Sequence, residues 1–181
     1  MTINLKPLEA ADRESFIADL QEAFEHFVGD ARDSFIDESL YEDGTVNPAA
    51  PPILPREDIE DSLSRSDAQA LRIIENGTAV GGVMLSVKGD RGEIEILAIN
   101  ASAHGRGIGA RAWTAIEEAY PDVREWELVT PYFEVRNIHF YVNKCGFHIV
   151  EFFNEHHPAP CAPGMDKDLS FRFVKYVGLP E

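Results

Sequence analysis

The chain is poor in cysteine, in positive charge and in long apolar runs, and each shortage excludes something. Two cysteines among 181 residues, Cys145 and Cys161, are too few for a disulfide scaffold. Lys and Arg total 16 against 32 Asp and Glu, a net charge of −16. That balance argues against duplex nucleic acid, whose binding depends on neutralising phosphates with basic side chains. No apolar stretch is long enough to span a bilayer, so no membrane partner is expected. The start, Met1 to Pro7, has neither the basic flank nor the apolar run of a signal peptide. A cytoplasmic protein is therefore expected. No internal repeat and no dividing linker stand out, so residues 1–181 are expected to form a single domain. What is present, 44% hydrophobic and 27% charged residues, suits a folded, soluble chain. The acidity is uneven: Met1 to Ala70 hold 17 acidic and 5 basic residues, a local net of −12. Such a field attracts a cationic ligand, although a solvated surface that aids solubility explains it as well.

Periodicity sets the order of elements. Ile3 to Leu8 reads as a strand. Phe16, Leu20, Phe24 and Phe27 recur at helical spacing over Asp12 to Val28, with Asp12 a candidate cap. Gly29 to Arg56, with Asn47-Pro48-Ala49-Ala50-Pro51-Pro52 and Pro55, suits a loop, and Glu57 to Arg65 a short helix. Three strands in hairpin succession follow: Ala70 to Glu75, Ala79 to Val87 and Glu93 to Ile99. Asn76-Gly77 is the first turn, and Gly81-Gly82 marks a bulge or close backbone approach. Ile108, Ala112, Ile116 and Tyr120 form one helix face, stopped by Pro121. Arg124 to Thr130 alternates as a strand. Asn137 can cap a helix through Cys145, and His148 to Phe153 and Leu169 to Val177 close the series. The expected fold is α+β, a mixed, mostly antiparallel sheet with a helical crossover and flanking helices.

The most informative stretch enters that crossover. A strand, Glu93 to Ile99, leads through Asn100 to His104 into Gly105-Arg106-Gly107-Ile108-Gly109-Ala110 and a helix. Glycines at alternate positions bare the amides of a turn that opens a helix, and the helix dipole adds positive potential there. The turn is suited to a phosphate or pyrophosphate. Gly105-x-Gly107-x-x-Ala110 formally matches the dinucleotide pattern, but five residues separate it from the strand end and hairpin strands precede it. No Gly-Lys-Ser/Thr follows, which excludes a P-loop. A dinucleotide-dependent oxidoreductase is thus a distant alternative.

The frame His104-Gly105-Arg106-Gly107-Ile108-Gly109 resembles the central Q/R-x-x-G-x-G/A motif of the GCN5-related N-acetyltransferase (GNAT) family. Leu97-Ala98-Ile99 looks like that family's leucine-alanine-valine strand end. Phe140-Tyr141-Val142-Asn143-Lys144-Cys145-Gly146-Phe147 is similar to its F-Y-x-K-x-G-F segment. His104 stands where Gln or Arg is usual, with Arg106 and Arg111 able to compensate. Glu134 stands where many members carry Asn, seven residues before the tyrosine.

The resemblance implies an acetyl-CoA-dependent N-acetyltransferase acting on a small amine. The pyrophosphate would meet the amides of Gly105 to Ala110 with Arg106 near it, Lys144 belongs to the same motif set, and two strands would splay around the acyl-CoA site. Leu97, Ala98 and Ile99 would line the cofactor arm, with the Leu97 amide toward the developing oxyanion. Glu93 matches the catalytic glutamate of histone-type members as a base, and Glu95, on the same strand face, is the runner-up. Tyr141 would protonate the leaving thiolate. The resemblance also allows a homodimer, and a non-catalytic acyl-CoA-binding or sensing module is the alternative function.

Other constellations are expected to be structural. His148, His156, His157 and Cys161 have no standard zinc spacing, so no metal is expected. Cys145 reads as a small buried residue rather than a nucleophile.

Overall fold

The computed structural model describes residues 2–30, 41–42, 45–46, 54–132, 134–159 and 169–178. The Asn47 to Pro52 segment, Cys161 and the side chain of Phe27, all singled out in the sequence, lie outside the described residues. Strand β1 (Ile3–Pro7) leads through a short turn into helix α1 (Arg13–Asp30). A two-stranded pair, β2 (Tyr41–Glu42) and β3 (Thr45–Val46), precedes helix α2 (Arg56–Ser64). Then come β4 (Ala68–Glu75), β5 (Thr78–Lys88), β6 (Arg91–Ile99), helix α3 (Ile108–Ala119) and β7 (Glu125–Pro131). Helix α4 (Val135–Phe140), a π turn (Tyr141–Cys145), β8 (His148–Phe153) and β9 (Ser170–Tyr176) complete the order.

Seven strands form one sheet in the order β1-β4-β5-β6-β7-β9-β8. All neighbours are antiparallel except β6 and β7, which α3 joins as a parallel crossover. The expected mostly antiparallel α+β fold is therefore the observed one. The hairpin at Asn76-Gly77 has φ of 51° and 86°, the double positive φ of a tight turn matched to strand twist. Among the described residues no helix is long and apolar enough to cross a membrane.

Each face of the sheet carries its own core. On one face, α1 and α2 bring Phe16, Ile17, Leu20 and Ile59 against Met84, Ile96 and Ala98. On the other, α3 and the π turn bring Trp113, Ile116 and Tyr141 against Val83, Leu85, Ile94, Trp126 and Phe173. Gly81 and Gly82 mark both a bulge and a close approach, as the sequence suggested. A Cβ on Gly81 would sit 2.2 Å from the Ala98 carbonyl oxygen, and one on Gly82 would sit 2.4 Å from the Phe16 ring. The β4–β5 register shifts beside them.

A second register shift decides the site. Leu85 faces Ile94 while Met84 faces Ile96, so Glu95 is an extra residue in β6. Ile94 consequently joins the α3 core and Ile96 the α1 core, although they are two apart in sequence. Beside this bulge β6 parts from β7: their pairing runs Arg91–Glu125, Gly92–Trp126 and Glu93–Glu127, and then ends. From there to Ile99, β6 has, among the described residues, a paired neighbour only in β5. That gap is the splay expected from the resemblance.

Two local expectations are corrected. Asn137 does not cap the helix, because α4 starts earlier, after Glu134, and Asn137 lies inside its first turn. The helix also does not run evenly to Cys145; it widens into the π turn at Tyr141.

Candidate functional site

The gap beside β6 opens into a cavity of about 250 Å³ between the end of β6, the glycine turn and α4. Asn100 N–H donates to the Val80 carbonyl on β5, at 2.9 Å. Strand main-chain groups alternate sides, so those of Leu97 and Ile99 point away from β5 and into the gap. The Ile99 carbonyl confirms the direction: the His104 ring Nε2 lies 2.7 Å from it. A carbonyl only accepts, so Nε2 carries the proton in this contact. His104, in the position of a motif Gln or Arg, thus latches the strand end to the turn.

The turn itself is built for an anion. Gly105 and Gly107 have φ of 74° and 68°, which side-chain-bearing residues rarely adopt, and a Cβ on either would meet nothing within 4 Å. Backbone conformation, not crowding, requires glycine there. Gly107 is the N-cap of α3, so the first amides of that helix face outward with the positive end of its dipole. Leu97, Ile99, His104, Gly105, Gly107, Ile108, Gly109, Ala110, Tyr141 and Lys144 all line the cavity. Two residues named from the sequence do not. Ala98 turns to the α1 core, as strand alternation requires. Arg106 turns its guanidinium to the buried Glu75, at 2.5 Å, which Arg111 also holds at 2.6 Å. The hydrogen bond from Arg111, with the charge of both arginines, keeps Glu75 below the ordinary carboxylate range.

The wall formed by α4 adds two residues the motifs left out, Arg136 and Asn137, together with Phe140, which opens the second motif. A cation and an amide one turn before Tyr141 were readable in sequence only once α4 was known to begin at Val135. Lys144 and Arg136 supply positive charge on this wall, and Phe140, Leu97 and Ile99 supply apolar surface. An elongated ligand with an anionic end and a mostly apolar arm fits these walls.

Tyr141 lies at the inner end, 6% exposed, among Phe140, Phe147 and Phe173. Its hydroxyl makes no hydrogen bond to any described residue. Burial, reinforced by Cys145 and Glu134, pushes its pKa well above the usual phenol value, so it keeps its proton at neutral pH. Cys145 is buried and its thiol is pushed up to about 12, chiefly by burial, which disfavours a thiolate.

The two glutamates of β6 face away from this cavity, toward the α1 side. Glu93 lines a cleft of about 140 Å³ with Ser86, Glu125 and Glu127. Among the described residues it has no hydrogen-bond or ion-pair partner. Burial, then the charges of Glu95 and Glu127, raise its pKa above the ordinary value, against Arg65 and Lys88. Glu95 differs. Its side chain is 10% exposed, and the Arg65 guanidinium lies 2.6 Å from its Oε1, off the line of a directed hydrogen bond. Glu127 is held at 3.2 Å by Arg172, which also binds Glu151 at 2.7 Å.

Two of the histidines discounted as ligands have ring partners: His157 lies 2.7 Å from Glu151 and stacks on Phe153, and His156 Nε2 lies 3.3 Å from Glu155. Among the described residues no cluster of three or more His, Cys, Asp or Glu could hold a metal.

Comparison with known proteins bears on the family and the fold. Residues 32–147 match the acetyltransferase (GNAT) family. Bacillus subtilis YrkN is 42% identical over 137 residues, spanning 70% of this chain and 74% of YrkN. The PaiA N-acetyltransferase of Thermoplasma acidophilum, solved with coenzyme A, superposes with a TM-score of 0.63 at 16% identity, over 97% of this chain and 99% of that one. A Vibrio cholerae spermidine N-acetyltransferase chimera does so with a TM-score of 0.60 at 12% identity, over 97% and 96%. These structures share the fold.

Proposed function

Because this chain belongs to the acetyltransferase (GNAT) family, we propose that residues 1–181 form one N-acetyltransferase domain that moves the acetyl group of acetyl-CoA to a small, cationic primary amine. The observation that carries this reading is the opening of β6 from β7, which leaves the Leu97 and Ile99 main chain facing a cavity that ends at the glycine turn. The turn amides and Lys144 hold the pyrophosphate end, and the bare edge of β6 pairs with the arm as an added strand would.

Transfer needs an amine without its extra proton, a polarised carbonyl and a protonated leaving group. Glu93 takes the proton from the ammonium, either directly or through one water, and its raised pKa suits that task. Its rival Glu95 is committed to Arg65. The amine nitrogen then forms its bond to the carbonyl carbon while the carbon–sulfur bond breaks. The Leu97 N–H stabilises the negative charge that builds on the carbonyl oxygen. Tyr141 gives its hydroxyl proton to the departing sulfur, and the second proton of the attacking nitrogen, which the amide product must lose, restores the Tyr141 hydroxyl. Burial keeps Tyr141 protonated until that transfer. The opposite cleft is lined by Lys88 and Arg91 as well as by Glu93, Glu125 and Glu127. Glu125 is paired with Arg91 and Glu127 with Arg172. The support for a cationic acceptor therefore comes from Glu93, which has no ion-pair partner among the described residues. The spermidine N-acetyltransferase fold neighbour is compatible with such an acceptor.

The test is release of free CoA thiol from acetyl-CoA across a panel of polyamines, amino sugars, neutral amines and peptides. Turnover on cationic small amines supports the reading. Turnover only on neutral or acidic amines contradicts the acceptor class. Binding of acetyl-CoA with no turnover on any amine favours the non-catalytic acyl-CoA module instead.

A further inference from the structure

Where β7 hands the chain to α4, Glu134 and Asn137 form a pair that the mechanism above does not use. The Glu134 backbone is fixed on both sides: its N–H donates to the Pro131 carbonyl at 3.1 Å, and its own carbonyl accepts from Ile138 N–H at 2.9 Å. Its half-buried carboxylate accepts from Asn137 Nδ2 at 2.9 Å. A carboxylate has no N–H or O–H to give, so the Asn137 amide must present its NH2 group to Glu134. The carbonyl prong, Oδ1, is then left over, and no described residue donates to it.

Asn137 lines the cavity. Of the other polar side chains of that wall, Arg136 and Lys144 only donate, and the Tyr141 hydroxyl, which can do both, is assigned to the sulfur. Donors suit phosphate and thiolate, but a pantetheine arm also carries two amide N–H groups that need acceptors. On the β6 edge the Ile99 carbonyl is already taken by His104, which leaves the Leu97 carbonyl for one of them. Resting on the reading that the cavity takes acetyl-CoA, we infer that Glu134 is a positioning residue: it fixes the Asn137 amide so that Oδ1 accepts an N–H of the pantetheine arm. The pair would thereby distinguish the complete cofactor from its nucleotide half.

Calorimetric titration of the full chain with CoA and with 3′-phosphoadenosine 5′-diphosphate, which lacks the arm, tests this. Glu134→Ala and Asn137→Ala should each weaken CoA by about threefold to tenfold, the worth of one hydrogen bond. Binding of the nucleotide half should stay unchanged in both. Glu134→Gln keeps a carbonyl that accepts the same bond and should restore CoA affinity. Asn137→Ala retains the Glu134 backbone bonds, so it reports even if Glu134→Ala fails to fold. Equal losses for both ligands would make the pair merely structural and overturn the inference, as would unchanged CoA affinity in Asn137→Ala. Wild-type protein that fails to bind CoA would instead overturn the cofactor reading beneath it.

Discussion

The two halves of β6 differ in what they expose. Up to Glu93 the strand is paired on both sides, and its chemistry is in side chains: Glu93 and Glu95 project from the α1 face near Glu127. Beyond Glu95 it is paired, among the described residues, only to β5, and what it exposes is the main chain of Leu97 and Ile99. One extra residue at the junction separates the two. It lets a single strand present a carboxylate to one side of the sheet and bare peptide groups to a cavity on the other. A transfer reaction needs such an arrangement, because donor and acceptor must approach one reacting carbon from different directions.

Removing the side-chain chemistry of the first half should have the largest effect. Glu93→Gln is expected to lower kcat about a hundredfold with CoA affinity intact, if measured by steady-state kinetics and calorimetry. Glu95→Gln should cost much less, and equal losses would erase the distinction between the two glutamates. Next, Tyr141→Phe should lower kcat about tenfold without raising KM for acetyl-CoA, since thiolate is already a fair leaving group. Equal kcat in mutant and wild type would remove Tyr141 from the mechanism.

Crowding the junction should act on stability. Gly81→Ala places a methyl against the Ala98 carbonyl, and overpacking of this kind costs about 1–3 kcal/mol. A lowered Tm in thermal unfolding is the expected result. A smaller effect concerns pH. A base works once deprotonated, so kcat/KM should rise with pH through the raised pKa of Glu93. Glu127→Gln removes one of the charges that raise it, and the acidic limb of the profile should move to lower pH. Smallest of all, Arg106→Ala should leave CoA affinity within about threefold, because its guanidinium is engaged by Glu75. A large loss would return Arg106 to the cofactor.

The elements were readable because their signals are local. Asn76-Gly77 announces its turn, and the Ile108, Ala112 and Ile116 stripe announces α3. The glycine turn was readable for the same reason. What escaped depends on distant partners. Glu93 and Glu95 look equivalent in an alternating strand. Only the fold brings Arg65 to Glu95, 30 residues back in the chain. Arg106 looks like a phosphate ligand until Glu75 is seen beside it. The bulge at Glu95 leaves no mark at its own position, since acidic and apolar residues alternate from Glu93 to Ile96 across it. Asn137 looked like a cap because the helix start was placed three residues too late.

The central claim is that the opened half of β6 and the glycine turn form an acyl-CoA site. Calorimetric titration of the wild-type chain with acetyl-CoA, with NADH as a parallel ligand, tests it most directly. The account predicts micromolar, one-to-one binding of acetyl-CoA and none of NADH. No binding of acetyl-CoA, or binding of NADH alone, would contradict it.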